Sequence, residues 1–249
     1  MKVSFYCINF NDDARRSKMI HRFSSHDIKV EFVNPVYTTD ERLNVGSGGA
    51  ADGKDITQHK RTWSIMLQHL DSIQHFVENT DNEYLILCED DILISKNMTK
   101  DLPNIIYNFE ELKLDVLLLG YLMHFKLDKN KPHADFPVIK DAADAAAADA
   151  AAAAPYTYYG FPYHLWGSQM YLISRKHAAF LLNKYDINYA LADLKRPYNP
   201  DWTLTKDGAR AMIYPMIALE EGATKTDHTK QNSFHKLCFD MNYDEQIFF

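Results

Sequence analysis

The sequence YLILCEDDILIS, residues 84–95, decides the fold because it turns from apolar to acidic and back within one short stretch. The run 84–88 is apolar on both faces, which is typical of a strand in the middle of a parallel sheet. Three carboxylates, Glu89, Asp90 and Asp91, follow it directly. We call them the acidic triplet. Ligands of open parallel sheets bind at the carboxyl ends of strands, so the triplet is a candidate site.

A solvated acidic turn is the alternative interpretation of the triplet, because neighbouring like charges repel and are rarely buried without a partner. If the triplet is a site, its chemistry favours a hard cation such as Mn²⁺ or Mg²⁺. Its ligand atoms are oxygens, with no thiolate or imidazole beside them. Such cations usually keep coordination positions open for the phosphates of a substrate.

Strands and helices alternate around this stretch over the first 120 residues, which predicts an α/β fold with a mostly parallel sheet flanked by helices. One helix is predicted to start with Asp55 as its cap and to run through Val77, with apolar residues at helical spacing. No linker or internal repeat divides the chain. The other predicted helices cover 12–23, 101–112 and 175–185, and the predicted strands cover 2–9, 29–36, 84–88, 115–121, 168–174 and 212–219.

The composition is that of an ordinary globular protein, with 46% apolar and 24% charged residues. The net charge of −7 predicts that nucleic acid is not a partner. No run reaches the roughly 18 apolar residues of a membrane span, so none is predicted. Cys7, Cys88 and Cys238 show no metal-binding or disulfide pattern, and a cytoplasmic location is expected.

The stretch 125–160 is predicted to be a long mobile loop. It contains a run, 141–155, that is almost entirely alanine and unlike the rest of the sequence. Long loops of this kind often act as lids over an active site. The alanine run itself carries no functional prediction.

Several motifs accompany the triplet in a fixed order. They are CINF at 7–10 with Arg15 and Arg16 behind it, ITQHKRTW at 56–63, LCEDDI at 87–92, LLLG at 117–120, GSQMYLIS at 167–174 and PDW at 200–202. Together they resemble glycosyltransferase family 25, which includes lipopolysaccharide galactosyltransferases and collagen hydroxylysine galactosyltransferases. Two departures are the segment 54–59, which lacks the small residues and the serine of the family's motif, and the last 30 residues, which match no motif.

The resemblance implies a single domain over residues 1–249 with a GT-A-type, Rossmann-like sheet. Residues 1–122 would bind the nucleotide sugar, and residues 156–222 would form the acceptor and catalytic half. The implied activity is metal-dependent transfer of galactose or glucose, with inversion, from a UDP-sugar donor. The acceptor would be a hydroxyl of a glycan, a lipopolysaccharide or a protein, and the cofactor Mn²⁺ or Mg²⁺.

The resemblance also assigns roles to individual residues. Asp201 would be the general base that takes the proton of the acceptor hydroxyl, with Glu220 and Glu221 as alternates. His235 is a second candidate for a late metal ligand. The predicted metal ligands are Asp91, Glu89 and His228, and the predicted donor-binding residues are Asn9, Arg16, His59, Glu89, Asp90, Gly167 and Gln169.

Plainer interpretations of these residues stay open. Asp201 follows Pro200 and could simply cap a helix. Arg16 and His59 could lie on solvated helix faces, Gly167 could be an ordinary turn glycine, and His228 a loop histidine.

Two other functions also remain open at this stage. The first is a metal-dependent phosphoryl-transfer enzyme or phosphohydrolase that uses the same triplet, although the sequence has no GxxxxGK[ST] loop. The second is a sugar-binding module that has kept the fold and lost catalysis. The intact triplet counts against the second.

Overall fold

The computed structural model describes residues 2–43, 56–141, 156–222 and 229–248. This part of the chain forms one nine-stranded sheet with helices on both faces. The strands are β1 Val3–Ile8, β2 Tyr84–Glu89, β3 Ile92–Ile94, β4 Val116–Leu122, β5 Val138–Lys140, β6 Thr157–Tyr159, β7 Trp166–Ser174, β8 Arg210–Tyr214 and β9 Ala218–Glu220. The helices are α1 Asp13–Ser24, α2 Lys60–Asn79, α3 Met98–Glu111, α4 Arg175–Lys184, α5 Ile187–Ala192 and α6 Lys230–Asn242, with a 3₁₀ turn at Glu41–Leu43.

The sheet separates two hydrophobic cores. Alternate residues of β2 enter opposite cores, with Leu85 and Leu87 on one side and Ile86 and Cys88 on the other. Helices α2 and α4 cover the first face, and α1 and α3 cover the second. Both faces of the central strands are therefore buried, which explains why β2 and β4 are apolar without alternation.

The α/β class is confirmed, but the sheet is mixed rather than mostly parallel. Its strand order is β1-β2-β7-β4-β8-β6-β5, with β9 beside β4 and β3. Strand β1 is parallel to β2, and β4 is parallel to β8 and β9. Strand β7, however, runs antiparallel to both of its neighbours, β2 and β4. A strand buried on both faces is apolar in either direction, so the sequence pattern of β7 could not indicate its orientation.

This arrangement brings three chain segments to one edge of the sheet. Parallel pairing places Ile8 of β1 opposite Glu89 of β2, so Asn9 follows beside Asp90. Because β7 runs the opposite way, its first residues lie at the same edge, and Met170 pairs with Cys88. The acidic triplet therefore lies beside the end of the parallel strand β1 on one side and beside the beginning of the antiparallel strand β7 on the other.

Three predicted elements differ in the structure. Residues 29–36 form no strand and contribute one isolated bridge, between Glu31 and Tyr6. The predicted strand 212–219 is two strands, β8 and β9, which both pair with β4 but differ in their other neighbours, β6 and β3. Helix α2 begins at Lys60, with His59 as its cap residue, whereas the predicted cap Asp55 lies outside the described residues.

The predicted mobile loop 125–160 contains two strands of the sheet. Strands β5 and β6 pair with each other within it, so part of this segment belongs to the sheet. Residues 142–155 lie outside the described part. Helix α6 follows β9 and packs against it. Among the described helices, none is both long and apolar enough to cross a membrane.

Candidate active site

The larger of two adjoining cavities, which we call the larger cleft, lies where β1 and β2 end. It has a volume of about 730 Å³. The acidic triplet forms its floor, and residues from the start of α1 and from α2 form its walls. The side chains that matter below are Phe10, Arg15, Tyr37 and Arg61, together with the triplet itself.

Asp90 is held in place by the protein. Asn9 Nδ2 donates to Asp90 Oδ2 at 2.6 Å, and Arg15 Nη1 donates to Asp90 Oδ1 at 2.9 Å. The same Asn9 amide reaches the main-chain oxygen of Asp12 at 3.0 Å. Asn9 therefore fixes the end of β1 to the triplet, and both Asp90 oxygens already have protein partners.

Arg15, rather than the predicted Arg16, reaches the triplet. Its Nη1 lies 3.6 Å from Asp91 Oδ2 in addition to its bond to Asp90. Burial would lower the pKa of Arg15, but Asp90 and Asp91 raise it above the ordinary value. Arg16 lies on another side of α1, where its guanidinium packs 4.2 Å above the ring of Phe32, outside the described lining of the cleft.

Glu89 lies among several other carboxylates. Ser168 Oγ donates to Glu89 Oε1 at 2.6 Å, which joins β2 to the start of β7. Burial raises the pKa of Glu89 well above its usual range, and the nearby carboxylates Asp91, Asp201 and Glu220 raise it further. A bound cation would relieve this repulsion, because an opposite charge favours the ionised carboxylate.

A second cavity of about 360 Å³, the smaller pocket, lies on the other side of the triplet. Glu89, Asp91 and Ile65 line both cavities, so the two adjoin at the acidic triplet. The smaller pocket also contains Gln169 and Asp201. Sequence prediction thus identified residues on both sides of the shared boundary.

Asp201 lies in a turn, not at the start of a helix as the capping interpretation required. Its Oδ1 accepts the backbone N–H groups of Gly167 at 2.8 Å and Ser168 at 2.9 Å. The start of β7 therefore fixes the orientation of this carboxylate. Gly167 is needed for packing as well, because a Cβ there would come within 2.5 Å of Leu118 Cδ1.

Two histidines near the end of the chain are candidate metal ligands. His235 is buried on α6, and its Nδ1 is 2.7 Å from Glu220 Oε1. Its ring packs edge-on against Trp166, and it lines the smaller pocket. His228, the predicted metal ligand, lies outside the described residues. His59 stacks on Trp63 and is outside the described lining of both cavities.

The described residues contain no cluster of three or more His, Cys, Asp or Glu side chains that could form a metal site by themselves. Mg²⁺ is usually held by one or two carboxylates together with substrate phosphates, so such a cluster is not required. Glu89 and Asp91 supply hard oxygen ligands at the boundary between the two cavities. The donor set therefore fits a divalent cation that is completed by a diphosphate.

Several site residues were missed by sequence reasoning. Arg61 lines the larger cleft from the first turn of α2, one residue after the start of the helix. Phe10 and Tyr37 also line it and are exposed, at 52% and 43%. Exposed aromatic side chains look like core residues in a sequence, so only the structure separates them. Ser168 carries no recognisable signal beyond its place beside Gly167.

The comparisons with known proteins identify the class. The family described as glycosyltransferase family 25 (LPS biosynthesis protein) matches residues 2–194. No curated protein matches the chain. The match covers most of the sequence, including β1, the acidic triplet and β7. The chain therefore belongs to glycosyltransferase family 25, and it is a glycosyltransferase.

Solved structures resemble the chain only distantly. A197 from STIV aligns with a TM-score of 0.42 and 13% identity over 85% of this chain and 81% of that chain. HddC from Yersinia pseudotuberculosis gives 0.37 and 12% over 96% and 79%. A glycosyltransferase involved in the glycosylation of the major capsid of PBCV-1 gives 0.37 and 8% over 95% and 100%.

Proposed function

We propose that the protein transfers galactose or glucose from a UDP-sugar to a hydroxyl of a glycan, a lipopolysaccharide or a protein, with inversion and with Mn²⁺ or Mg²⁺ as cofactor. The observation that carries the proposal is that two cavities meet at Glu89 and Asp91. A transferase must hold two substrates with their reacting atoms close together. One cavity for the donor and one for the acceptor, with the triplet between them, satisfies this need.

The larger cleft suits the nucleotide diphosphate. Phe10 and Tyr37 lie near its mouth with ring centroids 5.1 Å apart, and an exposed aromatic pair can stack on a nucleobase. Arg15 and Arg61 supply positive charge within the same cleft, which suits a phosphate. Most of its lining comes from residues before 122, in agreement with the proposed nucleotide-sugar half.

A divalent cation held by Glu89 and Asp91 would neutralise charge that develops on the leaving diphosphate. The chain's own residues prepare this position. Arg15 neutralises Asp90, and Asn9 and Ser168 fix the directions of Asp90 and Glu89. The proposed roles of Arg16 and His59 in donor binding have no support from their positions.

Asp201 is proposed as the general base. Its Oδ1 is occupied by two backbone N–H groups, which leaves Oδ2 for the acceptor. In the transfer, Oδ2 takes the proton of the acceptor hydroxyl while the hydroxyl oxygen bonds to the anomeric carbon. The bond from that carbon to the diphosphate oxygen breaks, and UDP leaves with the electron pair.

We also propose a cytoplasmic location, which the three free and buried cysteines support.

Thermal unfolding with UDP tests the donor and metal assignments together. A ligand at 100 times its Kd stabilises a protein by about 2.7 kcal/mol, and the increase in Tm with UDP is expected only when Mn²⁺ or Mg²⁺ is present. Asp91→Asn should abolish this metal-dependent increase and UDP-sugar turnover, while the exposed Asp81→Asn should change neither. Unchanged turnover in Asp91→Asn would refute the metal assignment, and a response to no nucleotide would favour the phosphohydrolase.

Asp201→Asn tests the base. The variant is expected to bind UDP but to transfer sugar roughly 10²–10⁴-fold more slowly, the usual contribution of general base catalysis. Single-turnover rates with a radiolabelled UDP-sugar measure the effect. Full activity in this variant would remove Asp201 as the base.

A further inference from the structure

Two buried polar atoms in the smaller pocket have no hydrogen-bond partner within the described residues. They are Nε2 of His235 and Oε1 of Gln169. The two side chains are only 8% and 4% exposed, and both line the pocket. A buried polar group without a partner destabilises the folded protein, so two in one pocket indicate that a ligand supplies the partners.

Glu220 determines what His235 offers to the pocket. A carboxylate accepts hydrogen bonds, so the contact of Nδ1 with Glu220 Oε1 places the proton of the neutral ring on Nδ1. Nε2 then presents a lone pair and needs a donor. Trp166 packs edge-on against the ring at a centroid distance of 5.9 Å, which further limits its rotation.

Gln169 offers the same kind of atom from a different element of the fold. It lies on β7, directly after Ser168, which binds Glu89. Its Oε1 accepts hydrogen bonds. A ligand that pairs with both atoms needs at least two hydrogen-bond donors at different positions, and a polyhydroxylated ring provides them.

Aromatic surfaces complete the pocket. Trp166 and Trp202 both line it, with ring centroids 6.1 Å apart and nearly perpendicular planes. Tyr163 stacks on Trp202 and holds it in place. The rest of the lining is mostly polar and includes the carboxylates Glu89, Asp91 and Asp201, which suits a ligand rich in hydroxyl groups. The volume of 360 Å³ lies at the small end of the range for small-ligand sites, about 300–1,000 Å³.

We propose that the smaller pocket binds one pyranose ring of a glycan acceptor, and that His235, fixed by Glu220, and Gln169 accept hydrogen bonds from two of its hydroxyl groups. This inference rests on the proposed function. It goes further by selecting a sugar acceptor over the hydroxyl of an amino-acid side chain. A single side-chain hydroxyl can donate to only one of the two atoms and would leave the other unpaired.

Saturation-transfer NMR with methyl glycosides of galactose, glucose, mannose and N-acetylglucosamine, in the presence of UDP and Mn²⁺, tests the proposal. At least one glycoside is expected to bind saturably. His235→Ala and Gln169→Ala should each weaken binding of that glycoside roughly tenfold, which corresponds to the loss of one hydrogen bond of about 1.4 kcal/mol. His177→Ala is the matched control, because His177 is also buried with an unpartnered Nε2 but lies outside the described lining of both cavities.

Monodeoxy versions of the same glycoside give a second readout that needs no variant. Removal of each of two particular hydroxyls should weaken binding to the wild-type protein by a similar factor. The proposal is overturned if UDP binds but no glycoside shows saturable binding. It is also overturned if His177→Ala weakens glycoside binding as much as His235→Ala does, or if removal of no single hydroxyl weakens glycoside binding. Failure of UDP itself to bind would instead overturn the proposed function.

Discussion

At the scale of single residues, the site is built from carboxylates whose directions are already set. Asp90 is held by Asn9 and Arg15, and Asp201 by two backbone N–H groups of β7. Preorganised polar groups lose little entropy when a substrate binds, and they hold reacting atoms in line. The neighbours of each carboxylate thus matter as much as the carboxylate itself.

Lys206 is another buried charged residue beside this site. Its Nζ donates to the main-chain oxygen of Leu165 at 2.5 Å and lies above the rings of Phe161 and Trp202. Burial lowers the pKa of Lys206 to about 7, although the charge of Asp201 partly opposes this change. The neutral amine is therefore the form that the folded protein prefers above neutral pH.

This preference predicts a pH dependence of stability. Between pH 7 and about 10.4, the ordinary lysine value, the unfolded chain holds a proton that the folded chain does not, so the free energy of unfolding rises with pH. In Lys206→Met this contribution should disappear. Urea unfolding at several pH values measures it, with the exposed Lys195→Met as the control. The prediction is contradicted if the difference in the free energy of unfolding between the wild type and Lys206→Met stays constant with pH.

At the scale of elements, the end of α2 depends on a residue from another element. Arg175, the first residue of α4, donates to the main-chain oxygens of Val77 at 2.9 Å, Thr80 at 2.6 Å and Asn82 at 2.7 Å. The last carbonyls of a helix have no partner within the helix, and a cation there also opposes the negative end of its dipole. Arg175 thus joins α2 to α4 on one face of the sheet.

Arg175→Met should be destabilising because it leaves several partly buried carbonyls without a donor. A buried acceptor left unpaired costs about 1–3 kcal/mol and partial access to water reduces this cost, so a decrease in the free energy of unfolding of about 1 kcal/mol or more is expected. Lys176→Met, at the exposed neighbouring position, should have little effect. Chemical denaturation of both variants measures the difference, and equal stabilities would refute this role of Arg175.

The elements also show how far the sequence could predict this fold. The strand before the acidic triplet and the helices α1, α2, α3 and α4 follow from local patterns, and the ordered motifs indicated the family. The direction of β7 did not follow, because a doubly buried strand reads the same in both directions. Residues 29–36 have the composition of a strand but form only one bridge, because pairing partners are decided by tertiary structure.

The candidate site was predictable only in part for a similar reason. The triplet, Gln169 and Asp201 stand in recognisable motifs, and the structure brings them to one boundary. Arg15 and Arg16 are adjacent in sequence, and only the orientation of α1 determines which one reaches Asp90. His235 lies on α6, a helix that no sequence motif predicted. Its contact with Glu220 could therefore be recognised only from the structure.

At the scale of the whole molecule, the end of the chain completes the smaller pocket. Helix α6 carries His235, and residues beyond it return to the sheet. Phe248 forms a bridge with Ser95, and Lys96 N donates to the main-chain oxygen of Ile247 at 2.8 Å. Asn242 Nδ2 also donates to the main-chain oxygen of Met123 at 2.6 Å. These contacts hold the carboxyl end of α6 against the core.

Phe248→Ala is therefore expected to affect the whole protein. Phe248 is 3% exposed and belongs to one of the two cores, and loss of a buried phenylalanine costs about 3–5 kcal/mol. Leu237→Ala is the control, because Leu237 on α6 is 46% exposed, and it should change the free energy of unfolding by less than about 0.5 kcal/mol. Thermal and urea unfolding measure both. Because α6 also carries His235, Phe248→Ala should weaken binding of the methyl glycoside more than binding of UDP, for which we propose the larger cleft, lined by residues 8–91. An equal loss of both ligands would show that the end of the chain supports the fold in general and not the smaller pocket in particular.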